Sequence, residues 1–438
     1  MKVTVIGAGL AGSEAALQLA KEGIEVDLYE MRPEVETGAH KTAKMAEFVC
    51  SNSLGSLDQT SASGLLKAEL QIMDSFLIKT ALETQVPAGN ALAIDREGFS
   101  EKITELIEKN PKINIIRKEL KEIPENSPTI IASGPLTSAA LSEKLKDFTG
   151  ENHLYFFDAI APIVEKESIN FEKAFYLNRY EKGDDDYINC PMNKEEYEKF
   201  YNILINGEKI ELKEFEKDAK FFESCLPVEV LASRGVDTLR YGPLKPVGLV
   251  DKRTNIENYA VVQLRQDNKA ATLYNLVGFQ TNLKWKDQKE LIHSIPGLEN
   301  ANIVKYGVMH RNTFINSTKV LNSTLQSRKN PNIFFAGQLT GTEGYTESIA
   351  TGLLAGQNMA RFLQNKPLIN LPQETMLGAL VNYISFEGHK TFQPINSNWG
   401  IVAEMQMDKK VRKNKKLKNE MLSNRALSTL HEYLNSIS

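Results

Sequence analysis

An α/β fold, in which a parallel-sheet domain is interrupted by a second, mixed α/β domain, is predicted by three observations. The chain opens with a β-branched run, a glycine-rich turn, an Ala/Leu-rich helical stretch and a second β-branched run, all between Lys2 and Glu30. Between about Leu154 and Arg328 it changes to Lys/Glu-rich helical stretches alternating with short β-like ones. At Asn332 to Ala336 a buried-strand run resumes the first pattern, followed by a glycine-rich loop and a long helical stretch.

Lys2 to Ile6, with Val3, Val5 and Ile6, reads as a buried strand, and Ser13 to Lys21 as a helix of good helix formers. Between them lies Gly7-Ala8-Gly9-Leu10-Ala11-Gly12, a G-x-G-x-x-G match in its proper strand-turn-helix context. Gly7 serves the tight turn, Gly9 the close approach of backbone to a pyrophosphate, and Gly12 the packing of helix on strand. The helix N-terminus offers free N–H groups and a positive dipole end to phosphates. A second strand, Ile24 to Tyr29, ends at Glu30, 18 residues beyond Gly12, where an acid would hold ribose hydroxyls. The bland alternative is a glycine-rich turn in an unrelated α/β protein, and the five features together argue against it.

Thr129 to Ala132 is a further strand stopping at Ser133-Gly134-Pro135, and Leu136 to Leu145 reads as helix. In the middle region, Lys194 to Leu204 reads as helix, and Tyr259 to Leu264 and Ala271 to Val277 as strands. After Asn332 to Ala336 come Gly337-Gln338, a loop with Gly341 and Gly344, and a helix carrying Ile349, Leu353, Gly356, Ala360 and Leu363. A strand ending in Gly, a Gly-rich loop and a long helix is how two-dinucleotide-binding flavoproteins finish, so FAD is expected over NAD. The expected organisation is a Rossmann-like FAD-binding domain over 1–154 and 328–438, with an inserted mixed α/β domain over 155–327.

Hydrophobic residues make up 42% and charged residues 25% of the 438, a globular balance that excludes global disorder. No apolar run approaches the length of a membrane helix, so no membrane association is expected. The formal charge of −4 argues against a generic nucleic-acid coat. One segment departs from it: seven of the ten residues from Lys409 to Lys418 are basic. That segment is either a solvated helix face or a local phosphate-contacting strip.

Three cysteines, an odd number, cannot form a disulfide framework, so a cytoplasmic location is expected. Cys50 lies in Glu47-Phe-Val-Cys-Ser-Asn-Ser53, where small polar residues favour an exposed turn. Cys225 lies in Phe221-Phe-Glu-Ser-Cys-Leu-Pro-Val-Glu229, with Ser224 a candidate N-cap and Pro227 suited to a first helical turn. A cysteine at a helix N-terminus is a good candidate nucleophile. Cys190 reads as a small buried hydrophobe. The cluster around His310 and the aromatic ring of Trp285 could sandwich a flat ligand or simply be core. No metal site is expected.

A set of blocks carries a resemblance along essentially the whole chain. They are Val3 to Gly12, Phe48 to Leu54, Val86 to Gly89 with Ala93 to Arg96, Ile131 to Ser138, Tyr187 to Met192, Phe222 to Glu229, Arg240 to Gly248, Tyr306 to Phe314, and Phe335 to Gly341. They resemble the folate- and FAD-dependent RNA (uracil-5-)-methyltransferases, and more distantly the FAD-dependent tRNA enzyme that aminomethylates wobble uridine. The resemblance implies that methylenetetrahydrofolate supplies a one-carbon unit and that FAD, recharged by NAD(P)H, supplies electrons. It implies RNA as partner, the T-loop uridine of tRNA favoured over a uridine of 23S rRNA. A thiolate adding to uracil C6 makes C5 nucleophilic. By motif, Cys225 matches the family nucleophile and Cys50 the second family cysteine, and the two roles can be exchanged. The resemblance also puts Gly7, Ala8, Gly9, Leu10, Ala11, Gly12, Glu30, Arg32, Gly337, Gln338, Gly344, Tyr345, Thr351 and Gly352 around FAD. His310, with Trp285 and Tyr345 nearby, would face the folate. Asn90, Ser224 and Lys41 depart from the family's usual residues, and none of these changes removes a reactive group. A flavin-dependent NAD(P)H oxidase or wobble-uridine enzyme, without methyl transfer, is the alternative, and a flavin-bearing RNA-binding protein a second.

Overall fold

The computed structural model describes residues 2–150, 154–159, 161–179, 185–210, 226–307, 309–389 and 392–437, with 154–159, 309–311 and 409 described by backbone alone. Its first sheet is parallel and five-stranded, in the spatial order Ile333–Phe335, Thr129–Ile131, Lys2–Ile6, Glu25–Tyr29, Ile113–Ile116. Val5 pairs with Leu28 on one side and Ile130 on the other. Numbered along the chain this is the order 5-4-1-2-3, the doubly wound pattern, with its switch point beside the first strand. Both of the first strand's neighbours bury their β-branched residues completely, as a parallel sheet covered on both faces requires.

The helix Leu10–Lys21 buries every residue except Lys21. Its small face meets the small face of the helix Tyr345–Leu363. A Cβ on Gly352 would come within 2.3 Å of the Ala11 carbonyl oxygen, and one on Gly356 within 2.8 Å of that of Ala15. Two helices this close need Ala and Gly at the i, i+4 positions that face each other.

Two buried carboxylates close helix ends within this core. Glu14 accepts from the N–H groups of Phe76 and Leu77 at 3.2 and 2.8 Å, and Glu69 from those of Met376 and Leu377 at 2.7 and 2.8 Å. Burial pushes the Glu69 carboxyl up to about 7, against the two N–H bonds that favour its charge. A carboxyl whose folded value is raised stabilises fully below its unfolded value near 4.5, and that stability is lost as pH rises through 7. The effect is at most roughly 3 kcal/mol, and the positive end of the Met376–Ser385 helix trims it. Thermal melts between pH 4.5 and 7.5 should therefore fall by a few degrees more in the natural chain than in Glu69→Gln. Parallel curves would exclude Glu69 as the titrating group.

The chain leaves this unit along Leu154–Ala159 and returns along Met309–Phe314, which pair antiparallel as a two-stranded ribbon. Beyond the ribbon lies an antiparallel six-stranded sheet, ordered Phe175–Tyr176, Ile188–Met192, Ala260–Gln266, Leu273–Leu276, Ile163–Glu165, Ile303–Lys305. The helix Lys194–Asn206 starts with a capping box between Asn193 and Glu196, and sinks Tyr197, Phe200 and Leu204 into that sheet's own core. Cys190 is fully buried there, as a small hydrophobe. The larger core takes in Phe314, Ile315, Val320, Leu321 and Leu325, upstream of the boundary at 328 expected from sequence. Composition misses the return because those residues form a short helix, Ser317–Val320, and irregular turns. Likewise the expected helix Leu136–Leu145 runs over Ala139–Thr149. Ser138 caps it and Gly150, at φ +69°, ends it. Among the described residues no helix is long and apolar enough to cross a membrane.

Candidate functional site

At the carboxyl ends of the first-sheet strands the chain forms a cleft lined by Ile6, Gly7, Gly9, Glu30, Ser133 and Gly337 among others. Open α/β sheets bind their ligands at this place. Gly7, at φ +97°, turns the chain out of the first strand, where a Cβ would meet the Ala132 carbonyl oxygen at 2.6 Å. Gly9 is different: nothing lies within 4 Å of the Cβ it lacks, so its backbone faces open cleft. The helix starting at Leu10 has no side-chain cap at Gly9, which leaves its first-turn N–H groups for an anionic group.

Glu30 is buried at the cleft floor. It accepts from the Ala8 N–H at 3.0 Å and from the Arg32 N–H and Nε at 3.1 and 2.9 Å. Burial alone would raise its carboxyl. The Arg32 guanidinium and these N–H groups outweigh burial and hold it below the usual value. A carboxylate in this state retains lone pairs for ribose hydroxyls. A glycine facing open cleft, an uncapped helix start and an ionised acid at the end of the second strand fit a dinucleotide such as FAD.

The cleft opens into a second, larger cavity between the two units, and Val49, Pro135, Leu136, Gln338 and Tyr345 line both. Cys50 stands at this junction, partly exposed. The Tyr345 hydroxyl donates to Cys50 Sγ at 2.9 Å and accepts from the Cys50 N–H at 2.8 Å. Burial, then the neighbouring thiol, holds the Tyr345 phenol well above its usual value, so it keeps the proton it donates.

The Cys50 loop is gripped from both units. Arg96 donates to the Cys50 carbonyl at 3.1 Å and pairs with Asp267 at 2.8 Å. Lys305 donates to the Val49 carbonyl at 3.1 Å, and Arg265 to the Asn52 side chain at 3.1 Å. Burial and the adjacent Arg96 charge push the Lys305 ammonium down to about 8.

Of the residues expected around a cofactor, Gly7, Gly9, Leu10, Ala11, Glu30, Arg32, Gly337, Gln338 and Tyr345 line the cleft. Gly344 lines the second cavity. Ala8, Gly12, Thr351 and Gly352 line neither. Ala8 binds Glu30, and Gly12 abuts the Gly7 carbonyl. The Thr351 hydroxyl accepts from the Gly337 N–H at 2.8 Å, and Gly352 packs on Ala11. Trp285 is 60% exposed, stacks on Tyr306 at 5.4 Å and lines neither cavity. The His310 backbone pairs with Asp158 in the ribbon, and its side chain lies outside the described residues. Cys225 also lies outside them. The helix after it, Val228–Ser233, has Pro227 as its N-cap rather than in its first turn. Thr37, His40, Lys118 and Leu120 also line the cleft. His40 stands beside Lys41 in a segment the family resemblance touches, while Thr37, Lys118 and Leu120 sit in loops without a motif and carry no sequence signal.

Fold and site define a Rossmann-type dinucleotide-binding protein with a partly exposed cysteine, Cys50, at the mouth of its cleft. Residues 2–367 match the family described as Glucose inhibited division protein A. The chain is 57% identical over 434 residues to the methylenetetrahydrofolate--tRNA-(uracil-5-)-methyltransferase TrmFO of Natranaerobius thermophilus, covering 99% of each. It is 55% identical over 437 residues to the enzyme of the same name from Anoxybacillus flavithermus, covering 100% of each. The chain belongs to the Glucose inhibited division protein A family and groups within it with these relatives. Among solved structures, GidA of Aquifex aeolicus (form II crystal) superimposes with a TM-score of 0.71 at 16% identity, over 99% of this chain and 73% of that one, which shows a shared fold.

Proposed function

We propose that this chain transfers the methylene carbon of methylenetetrahydrofolate to C5 of a uracil in RNA and reduces it to methyl, with tRNA favoured over 23S rRNA as substrate. The observation that carries the reading is Cys50, held by Tyr345, where the dinucleotide cleft opens into the larger cavity. The relatives' printed name supports the folate and the tRNA uracil. FAD, bound by the Gly7–Gly12 turn, Glu30 and Gly337, would supply the two electrons, restored by NAD(P)H.

The chain's own residues have three tasks. A thiolate, assigned to Cys225 by its motif, adds to uracil C6 and makes C5 the nucleophile that takes the carbon. Cys50 lies beside the cleft to take the C5 proton, with the Tyr345 hydroxyl fixing its sulfur. The second cavity offers Asn275, Asn312, Arg265 and Glu347 to a uracil edge that must leave its loop to enter.

The test is mass spectrometry of tRNA and of 23S rRNA from a strain lacking the gene. Loss of 5-methyluridine from tRNA is expected, restored by the natural chain and not by Cys225→Ala. Loss from 23S rRNA alone would reassign the substrate, and retention in both pools would reject the reading.

A further inference from the structure

The basic run Lys409 to Lys418 falls on a short helix, Lys409–Lys413, and on the first turn of a long one, Lys415–Ile437. Lys410, Arg412, Lys413, Lys415, Lys416 and Lys418 are exposed. Among the described residues none of them forms an ion pair with a carboxylate. A solvated face would be the ordinary explanation, and the long helix argues against it. The first turn of a helix carries the positive end of its dipole and favours acids. This one holds no acid, and places Lys415, Lys416 and Lys418 there. The described bonds to its first turn come from Asn414, whose side chain accepts from the Leu417 N–H at 3.2 Å and whose carbonyl accepts from the Lys418 N–H at 2.9 Å. Three lysines where a helix start favours acids, beside a cap from Asn414 that carries no charge, point to an anionic contact outside the chain. Phosphate is the chemistry that answers lysines and helix-start N–H groups together.

The strip is also anchored to the site. The Asn419 side chain donates to the Thr60 carbonyl at 3.0 Å, and the long helix packs beside the helix Ala62–Ile72. Thr60 lies in the loop between that helix and the strand Ser53–Ser56. Ser53, Leu54, Gly55 and Ser63 at the two ends of this loop line the larger cavity. From Gly55 to Thr60 the chain reaches at most roughly 18 Å. We infer that the Lys409–Lys418 strip is the phosphate-binding rail that holds an RNA backbone beside the larger cavity while one base reaches Cys50. This rests on the proposed function and adds where the RNA lands.

The test uses the flavin-loaded full chain and an unmodified tRNA transcript, with Lys413→Gln, Lys415→Gln, Lys416→Gln and Lys418→Gln combined. Its Kd at 0.1 M salt should rise at least about tenfold, and the slope of log affinity against log salt should fall by roughly 3. Flavin absorbance and folate-independent NAD(P)H oxidation should stay unchanged. The melting temperature should hold or rise, because cations leave a helix start. Four arginines at the same positions should restore binding. Unchanged affinity and slope would overturn the rail. So would loss of binding to anionic phospholipid vesicles with tRNA affinity intact. Methylation of the transcript by the natural chain separately decides the proposed function, so the two failures are distinguishable.

Discussion

Tyr345→Phe is expected to cut methyl transfer by up to about 100-fold while the protein keeps its flavin. The phenylalanine ring preserves the packing against Phe48, whose centroid lies 4.3 Å from that of Tyr345. The hydroxyl, however, is both the donor to Cys50 Sγ and the acceptor of the Cys50 N–H. Removing it frees the thiol to rotate, and misplacing a reacting group costs up to about 100-fold in rate, while the unpaired N–H separately costs the fold roughly 1 to 3 kcal/mol. Methyl incorporation from labelled methylenetetrahydrofolate, read beside the flavin absorbance, measures both halves. A variant as active as the natural chain would remove Tyr345 from the chemistry.

The second large effect separates two glycines of one motif. A Cβ at position 12 would lie 1.8 Å from the Gly7 carbonyl oxygen, so Gly12→Ala must unseat the turn itself. That variant should melt lower, by roughly 3 kcal/mol of stability, and emerge colourless. Gly9→Ala meets nothing within 4 Å and should fold normally. Gly9→Val projects into the space reserved for a pyrophosphate, and should weaken FAD roughly 10- to 100-fold with little change in the melting temperature of the apoprotein. Titration with FAD and differential scanning fluorimetry on the three variants read affinity and stability apart. Equal behaviour of the two alanine variants would contradict the distinct roles.

The contrast also shows what a sequence can carry. The turn, its helix and Glu30 fall within thirty residues, so spacing alone locates most of the cleft. The partners of Cys50 do not. Tyr345 is 295 positions away, Lys305 is 256 from the Val49 it grips, and Asp267 is 171 from Arg96. Local pattern holds no information on such pairs, which only tertiary packing assembles. Glu14 and Glu69 carry no signal of their own in the sequence, yet both are buried because another helix presents its open N–H groups to them. Trp285 errs in the opposite sense, an aromatic residue that stays outside.

The two-stranded ribbon has an evolutionary consequence. Leu154 sits directly across from Phe314, so everything between them enters and leaves the parent sheet through adjacent backbone positions. A gene segment with such neighbouring ends can be gained, lost or exchanged without disturbing the five parallel strands. The cleft can therefore keep its ligand while the inserted unit changes. Arg265, Asp267 and Lys305 are the points at which the inserted unit is tied to its host, because they fasten the loop that bears Cys50.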